Sequence, residues 1–533
     1  MSRALPSTRR ITAGVGAGLA FALLLSASPS MGAEPALATP SSAAEHAAVR
    51  QSAAVLGAVT AAPSQKGLLR ERVRNTHARF AARFVYVPGV PKFDRLVDRE
   101  LRAAIRTTKR KYSPQAFAPG AGLGTRGCVP GSTTTWTAKK VLRRSETAPP
   151  TGAGTAVTCE VVATEGSIVK VVMRTVRGSQ KKVHLDKKKV LYADLSTGAA
   201  GTIVQSRLWR GSTPVKVWKL AVEQLRDEAL AAGGPGGPVP PALADPGVSQ
   251  TRLARHALYH AKTDAKGRLT ITLPAGIAAP ELKALGVART TVPTVVRVSR
   301  ATADQWSKLF GKRLRDQIGK PFVGIRKSTM SVAPNCSLLP CVALTYDDGP
   351  EPYTRTLLRT LKAREARVTF FMVGSMVSGR ESIVRSAAKD GHEIASHTMN
   401  HADLTMLSLA GANSQVKSAA AKLRAATGKK VTLFRPPYGA INQQIINRVG
   451  MPAILWSVDT NDWRRPGKSA LIQRSVPVVR PGGIILFHDI HPDSVAVAGT
   501  VISGLRDRGF ELVTVTQLFD GKVPLGRVAA RYS

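Results

Sequence analysis

Long apolar runs, cysteines and acidic residues are all scarce in this 533-residue chain. With apolar residues at 43% and charged residues at 21%, composition is near the globular norm, which excludes wholesale disorder and a polytopic membrane protein. The early apolar run is Ala13 to Ala27, preceded by Arg3, Arg9 and Arg10 and followed by the small-residue pattern Ala36-Leu37-Ala38. This reads as an export signal over residues 1–38. The run is shorter than the ~20 residues of a comfortable span, and an uncleaved anchor is the alternative. Arg9-Arg10 continues poorly as a twin-arginine signal, since Ile11-Thr12-Ala13 follows. On either reading the rest of the chain is expected outside the cytoplasm, secreted or associated with the cell wall.

Only four cysteines are present, and neither group has a second close Cys or His pair, which argues against a zinc knuckle. In an exported chain they are expected to oxidise in pairs. Cys336 and Cys341 flank Ser337-Leu338-Leu339-Pro340 and are read as a local staple; Cys128 and Cys159 then pair by elimination. Asp and Glu number 34 against 77 Lys and Arg, a formal net charge of +43. Residues 342–533 hold 25 basic against 15 acidic side chains, and residues 1–341 hold 52 against 19, so the excess lies mainly in the first part. Such a field concentrates polyanions, which outside a cell are anionic wall polymers and lipid surfaces; no nucleic-acid-reading motif is present, and no specific nucleic acid is expected.

The length allows two or three domains. Residues 39–77, rich in Ala, Ser, Pro and Gln, read as a flexible linker. An α+β accessory domain is expected over 78–330: strands at Phe84–Val87, Ile168–Met173, Val190–Leu195, Thr270–Leu273 and Val292–Val298, helices at Phe93–Ile105 and Val215–Leu230, and a Gly/Pro-rich loop at 233–247. This order resembles the extracytoplasmic domain of some anti-sigma factors, also found before the catalytic domain of some peptidoglycan deacetylases. His256 and His260 stand four apart without a third ligand and read as helix-surface or packing residues.

Residues 335–525 differ in kind. Seven apolar strand-like runs alternate with helical stretches: Val342–Thr345, Val368–Phe371, Glu393–Ala395, Val431–Phe434, Ile454–Ser457, Gly483–Phe487 and Leu512–Val515. That alternation predicts an α/β fold with parallel strands, whose C-terminal ends gather loops into one site. Tyr346-Asp347-Asp348-Gly349-Pro350 puts two carboxylates at a strand end, where one can bind a cation and the other act as a base. His397 and His401 add two imidazoles that can hold one metal from the same side. With Asp348 they form a set that leaves positions open for water and substrate, and zinc is the default ion. Arg435-Pro436-Pro437-Tyr438-Gly439, Asp459-Thr460-Asn461-Asp462-Trp463 and Leu486-Phe487-His488-Asp489 supply further polar groups after strands.

These five segments resemble the five motifs of the polysaccharide deacetylase family, the NodB-homology or carbohydrate esterase family 4 domain. The resemblance implies a distorted (β/α)7-type barrel and metal-dependent hydrolysis of N-acetyl groups on sugar polymers. It implies that Asp348, His397 and His401 hold one divalent ion, zinc or alternatively cobalt or another. Asp347 would be the general base, and His488 would protonate the departing amine. Asp462 would orient His488, and Arg435 would fix Asp347. The backbone N–H of Tyr438 would stabilise the oxyanion, and Trp463 and Leu486 would line the acetyl pocket. Tyr346 stands where the family usually has Phe, and Met399 where Trp is common. The expected enzyme is a peptidoglycan N-acetylglucosamine deacetylase, acting as a monomer on acetylated cell-wall polysaccharide. A chitin deacetylase, an acetylxylan esterase and a non-catalytic wall-binding or sensing protein are the alternatives.

Overall fold

Strand β1 (Leu69–Asn75) turns Glu71, Val73 and Asn75 inward and pairs antiparallel with β2 (Phe80–Tyr86) along its whole length. The linker reading over 39–77 is therefore wrong from residue 69 onward. Polar residues occupy two of its three inward positions, which hides the strand from apolar alternation; Asn75 is satisfied there, donating to Ser113 O at 2.6 Å and accepting from Ala78 N–H at 2.7 Å. The computed structural model describes residues 65–121, 123–233, 243–325 and 334–531. The signal reading, the linker up to residue 64 and positions 234–242 of the Gly/Pro-rich loop lie outside these residues.

From β1 and β2 the sheet continues through β3 (Ala153–Glu165), β4 (Ile168–Ser179), β5 (Val183–Asp194) and β6 (Ala199–Thr202), in that order; β2 and β3 run parallel and the other pairs antiparallel. Helix α1 (Pro91–Thr107) starts with proline at its first turn and buries Phe93, Leu96, Val97, Leu101 and Ala104 in the core that includes the sheet's Phe84, Val161 and Val171. Cys128 and Cys159 are disulfide-bonded, which clamps the long β2–β3 connection to β3. A second core follows. It is built from α2 (Thr213–Ala231), α3 (Val248–Tyr259) and an antiparallel sheet of β7 (Lys262–Thr263), β8 (Leu269–Leu273) and β9 (Thr294–Val298), around Trp218, Leu258 and Ile271. Among the described residues the stretch read as one α+β domain thus carries these two cores and a smaller third one around Val141, Leu142, Ala156 and Val176.

The last part is a parallel α/β unit. Its sheet runs β12 (Glu393–Ser396), β11 (Thr369–Met372), β10 (Cys341–Asp347), β15 (Ile484–His488), β14 (Val458–Asp459), and β16 (Glu511–Val513) pairs with the start of β10. Helices α4 (Pro352–Ala363), α5 (Glu381–Lys389), α6 (Leu409–Thr427) and α7 (Pro492–Asp507) supply the crossovers. Five of the seven expected runs contribute strands, and Ile454–Ser457 contributes only Ile454, to a two-residue strand. Val431–Phe434 contributes only single bridges from Phe434 to Ser396 and to Ala453 of β13 (Ala453–Ile454). Strand β17 (Arg527–Val528) pairs with β13, so the unit extends past residue 525. Strand pairing closes no barrel among the described residues; the fold is mixed α/β.

Every residue of β10 is buried, as expected for a central parallel strand covered on both faces. Its alternation sorts the two faces: Val342, Leu344 and Tyr346 join the core shared with α4, α5 and α7, while Cys341 and Ala343 join the opposite core with Phe371, Ala395 and Ile484. Period-two alternation carries Thr345 and Asp347 onto that second face. The unit is stapled at its entry by the Cys336–Cys341 disulfide. It also touches the first sheet's loops directly: Phe117 N–H donates to Arg508 O at 2.8 Å, and the Tyr112 hydroxyl donates to Leu338 O at 2.6 Å. No described helix is long and apolar enough to cross a membrane.

Candidate active site

Asp347 ends β10, His397 follows β12, Arg435 follows the Phe434 bridge, Asp459 ends β14 and His488 ends β15. Parallel strands present these ends on one side, which is why residues up to 141 positions apart in sequence can meet. Arg435 is the most enclosed of them, with no exposed surface. Its Nη1 donates to Asp347 Oδ1 at 2.7 Å and to Thr345 Oγ1 at 2.8 Å, its Nε to Ile454 O at 3.0 Å and its Nη2 to Leu455 O at 3.0 Å. The guanidinium carbon lies 4.1 Å from the centroid of the Phe371 ring. Burial pushes the Arg435 pKa down and the Asp347 carboxylate works against that; so paired and hydrogen-bonded, a buried cation is tolerable.

Asp348, His397 and His401 converge, with one ligand atom from each all within 4.8 Å of one another. The Nδ1 of His397 is 2.8 Å from Arg435 O. A carbonyl only accepts, so Nδ1 carries the proton and Nε2 of the neutral ring presents a lone pair. That Nε2 is 3.4 Å, and His401 Nε2 3.3 Å, from Asp348 Oδ1, a buried oxygen with no hydrogen-bond partner. Lone pairs aimed at an unpartnered carboxylate oxygen are the arrangement a cation satisfies, and two imidazoles with one carboxylate suit zinc. Burial would raise the Asp348 carboxyl, but His397 first and then the other nearby imidazoles outweigh it and hold the pKa down at about 2. Burial and His397 push the His401 pKa down, which keeps a lone pair available.

Asp347 stands beside this cluster, its Oδ2 3.8 Å from His397 Nε2. His488 closes the site. Its Nδ1 meets Asp462 Oδ1 at 2.7 Å, while Asp462 Oδ2 accepts from the His488 N–H at 2.7 Å and from the Ser494 hydroxyl at 2.6 Å. Burial works to lower the His488 pKa, but the bond to Asp462 and its charge win and push it up to about 9. Among the described residues, five of the ten non-glycine residues with positive φ belong to the motif segments: Asp348 (75°), Thr398 (65°), His401 (55°), Tyr438 (60°) and Asn461 (51°). Strain concentrated in this way is characteristic of sites whose side chains are held by their surroundings.

The predicted pocket residues are more dispersed. Leu486 is buried on the same face of β15 as His488, whereas Trp463 is 53% and Tyr438 73% exposed. The Tyr438 ring stands edge-on to His401 at 4.9 Å, and Arg464 covers the Trp463 ring at 4.5 Å. His256 and His260 pack against each other at 4.7 Å, away from any metal-like cluster among the described residues.

Two contributors carry no role from the sequence reading. Asp489 is wholly buried; its Oδ2 accepts from the Thr354 hydroxyl and its Oδ1 has no partner. Burial first, countered by Thr354, pushes its pKa up to about 7. A Cβ at Gly349 would stand 2.5 Å from its Oδ2, so the glycine after the two aspartates is required by this carboxyl. Its adjacency to His488 was the available signal. Ser494, the third group on Asp462, had none: an isolated serine at a helix start reads as a cap.

Residues 336–453 match the family model described as polysaccharide deacetylase. A peptidoglycan-N-acetylglucosamine deacetylase of Listeria monocytogenes is 35% identical over 187 residues, which is 35% of this chain and 40% of the Listeria protein. The chain therefore spans less than half the length of that relative. A chitooligosaccharide deacetylase of a Bradyrhizobium species is 33% identical over 196 residues, 33% of this chain and 90% of that protein. The solved peptidoglycan deacetylase PdaC of Bacillus subtilis is 36% identical, with 34% of this chain and 91% of that chain covered and a TM-score of 0.34.

Proposed function

The chain belongs to the polysaccharide deacetylase family, and from that membership we propose that it is a metal-dependent hydrolase removing N-acetyl groups from N-acetylglucosamine residues of cell-wall peptidoglycan, releasing acetate. The observation that carries the reading is the separation of two neighbouring carboxylates: Asp347 is fixed by Arg435, and Asp348 faces the two imidazoles.

Asp348, His397 and His401 would hold the divalent ion, zinc by the chemistry of the donors, and the bound ion would supply Lewis-acid polarisation. Asp347, with Oδ1 engaged by Arg435, keeps Oδ2 on the ligand side to take a proton from the attacking water. The backbone N–H of Tyr438 donates to the developing oxyanion. His488, whose Nδ1 is tied to Asp462, delivers a proton from Nε2 to the sugar nitrogen as the C–N bond breaks. Leu486 and Trp463 bound the acetyl group.

The interrupted parallel sheet, with the Phe434 bridges linking β12 to β13, supports a distorted barrel. Two disulfides support a place outside the cytoplasm, secreted or wall-associated. Chitin oligomers are the second substrate class to consider, because the Bradyrhizobium relative is covered almost end to end. The test is acetate release from purified peptidoglycan and from chitin oligomers, with and without chelator and with zinc restored. Chelator-sensitive release from peptidoglycan is expected; release from chitin alone would move the substrate, and release from neither would remove the reading.

A further inference from the structure

The first sheet carries a cleft of about 440 Å³ between the β1–β2 turn, the end of α1 and the adjoining ends of β3 and β4. Of its thirteen lining residues four are Arg or Lys, Arg79, Lys109, Arg110 and Arg177, a fifth is His184, and none is acidic. Among the described residues none of the five forms an ion pair. Elsewhere in the same sheet buried cations do: Arg174 holds Asp186 at 2.7 Å, and Lys170 holds Glu165 at 3.3 Å. Arg177 anchors itself by donating from Nη1 to Thr107 O at 3.0 Å, which leaves its Nε buried with no acceptor. A buried donor on a charged group costs free energy until something accepts from it.

The backbone is shaped around this space. Gly154 and Gly178 are cross-strand partners with φ of 150° and 153°, and both are positions that reject a side chain. A Cβ would stand 2.0 Å from Arg79 O at the first and 2.3 Å from Lys182 O at the second. The floor is therefore bare main chain, which lets the turn close over β3 through Thr155 N–H to Arg79 O at 3.0 Å. Arg79 and Lys109 both sit in the left-handed region, at φ 49° and 55°, at the two turns that border the cleft.

We propose that this cleft is a binding site for a phosphate mono- or diester. Arginine forks and lysine match the several oxygens of a phosphate group, and the volume leaves room for the glycerol or sugar unit that carries it. The chemistry is shared by a phosphodiester wall polymer and a phospholipid headgroup. Nothing in it depends on the catalytic face.

The full chain is titrated at physiological salt with a labelled poly(glycerol phosphate) oligomer, with phosphatidylglycerol-containing vesicles, and with poly-glutamate of matched length. The parent is compared with the triple variant Arg79→Gln/Lys109→Gln/Arg110→Gln and with Lys216→Gln/Arg252→Gln/Lys283→Gln, which removes the same charge from exposed positions in the second core. The cleft variant is expected to weaken phosphate binding about tenfold or more, and the control less than about twofold. An unchanged thermal midpoint reports that the variants fold. Preference for the oligomer names a wall polymer, and preference for vesicles a lipid surface. Equal weakening by both triples, absence of binding by the parent, or equal affinity for poly-glutamate would overturn the proposal.

Discussion

Arg435 and Asp347 form a fully enclosed ion pair at 2.7 Å, with side-chain exposures of 0% and 3%. The pair stands one residue from the metal-type cluster without belonging to it. Replacing Asp347 with Asn preserves the shape and the hydrogen bond but removes the proton acceptor. Turnover is expected to fall by about 10²–10⁴ while zinc stoichiometry, measured by elemental analysis, stays at the parent value. Full activity in this variant would remove Asp347 from the proposed role.

Arg435→Met makes a different prediction, because it leaves a carboxylate buried without its cation. Breaking one side of a buried pair costs about 3–5 kcal/mol. Denaturant unfolding should register a loss of that order. A stability equal to the parent's would mean that the pair's burial does not matter.

The pH profile should report His488. Its pKa is pushed up to about 9 because Asp462 outweighs burial, and the acid that protonates the leaving amine must carry its proton. Activity is therefore present below that pKa and declines as pH rises through it; a bound dication nearby moves the limb to lower pH. In Asp462→Asn the hydrogen bond and charge that raise it most are gone while burial remains, so the alkaline limb of kcat should shift downward. A limb that stays in place would assign it to another group.

His401→Ala removes a proposed ligand that is partly exposed, and His397→Ala a buried one whose Nδ1 is engaged by Arg435 O. Both should lose bound zinc and activity. The second should also unfold more readily, since it leaves the carbonyl without its donor. Retained zinc in both variants would locate the ion elsewhere.

Tyr346 predicts a gain. Its ring packs between Phe370 and Phe487, with centroids 5.9 and 5.7 Å away, but its hydroxyl is buried with no partner. Tyr346→Phe should stabilise the fold by about 1 kcal/mol, visible as a raised denaturation midpoint, with activity unchanged. A lower midpoint would mean that the hydroxyl is satisfied.

Much of the catalytic unit was legible in the chain because its signals are local. Apolar runs marked β10, β11, β12 and β15, and the strand-to-loop position of each polar segment placed Asp347, Asp348, His397, Arg435 and His488 at strand ends. The first strand was not legible: Leu69–Asn75 turns two polar residues inward, so no apolar alternation announces it. Val431–Phe434 misled in the opposite sense, being apolar enough for a strand yet pairing only through Phe434.

The sequence by itself determined the inventory: which groups can bind a cation, which can move a proton, and which cysteines pair. Tertiary structure decided what each group does. Alternation along β10 sent Asp347 to the face where Arg435 waits, and the left-handed turn at Asp348 sent the next carboxylate to the imidazoles. The same packing buried Asp489 against Gly349 and set Arg79, Lys109 and Arg177 around one cleft. Distances between residues far apart in the chain, and the desolvation that sets their proton affinities, come into being only when the strands pair and the cores close.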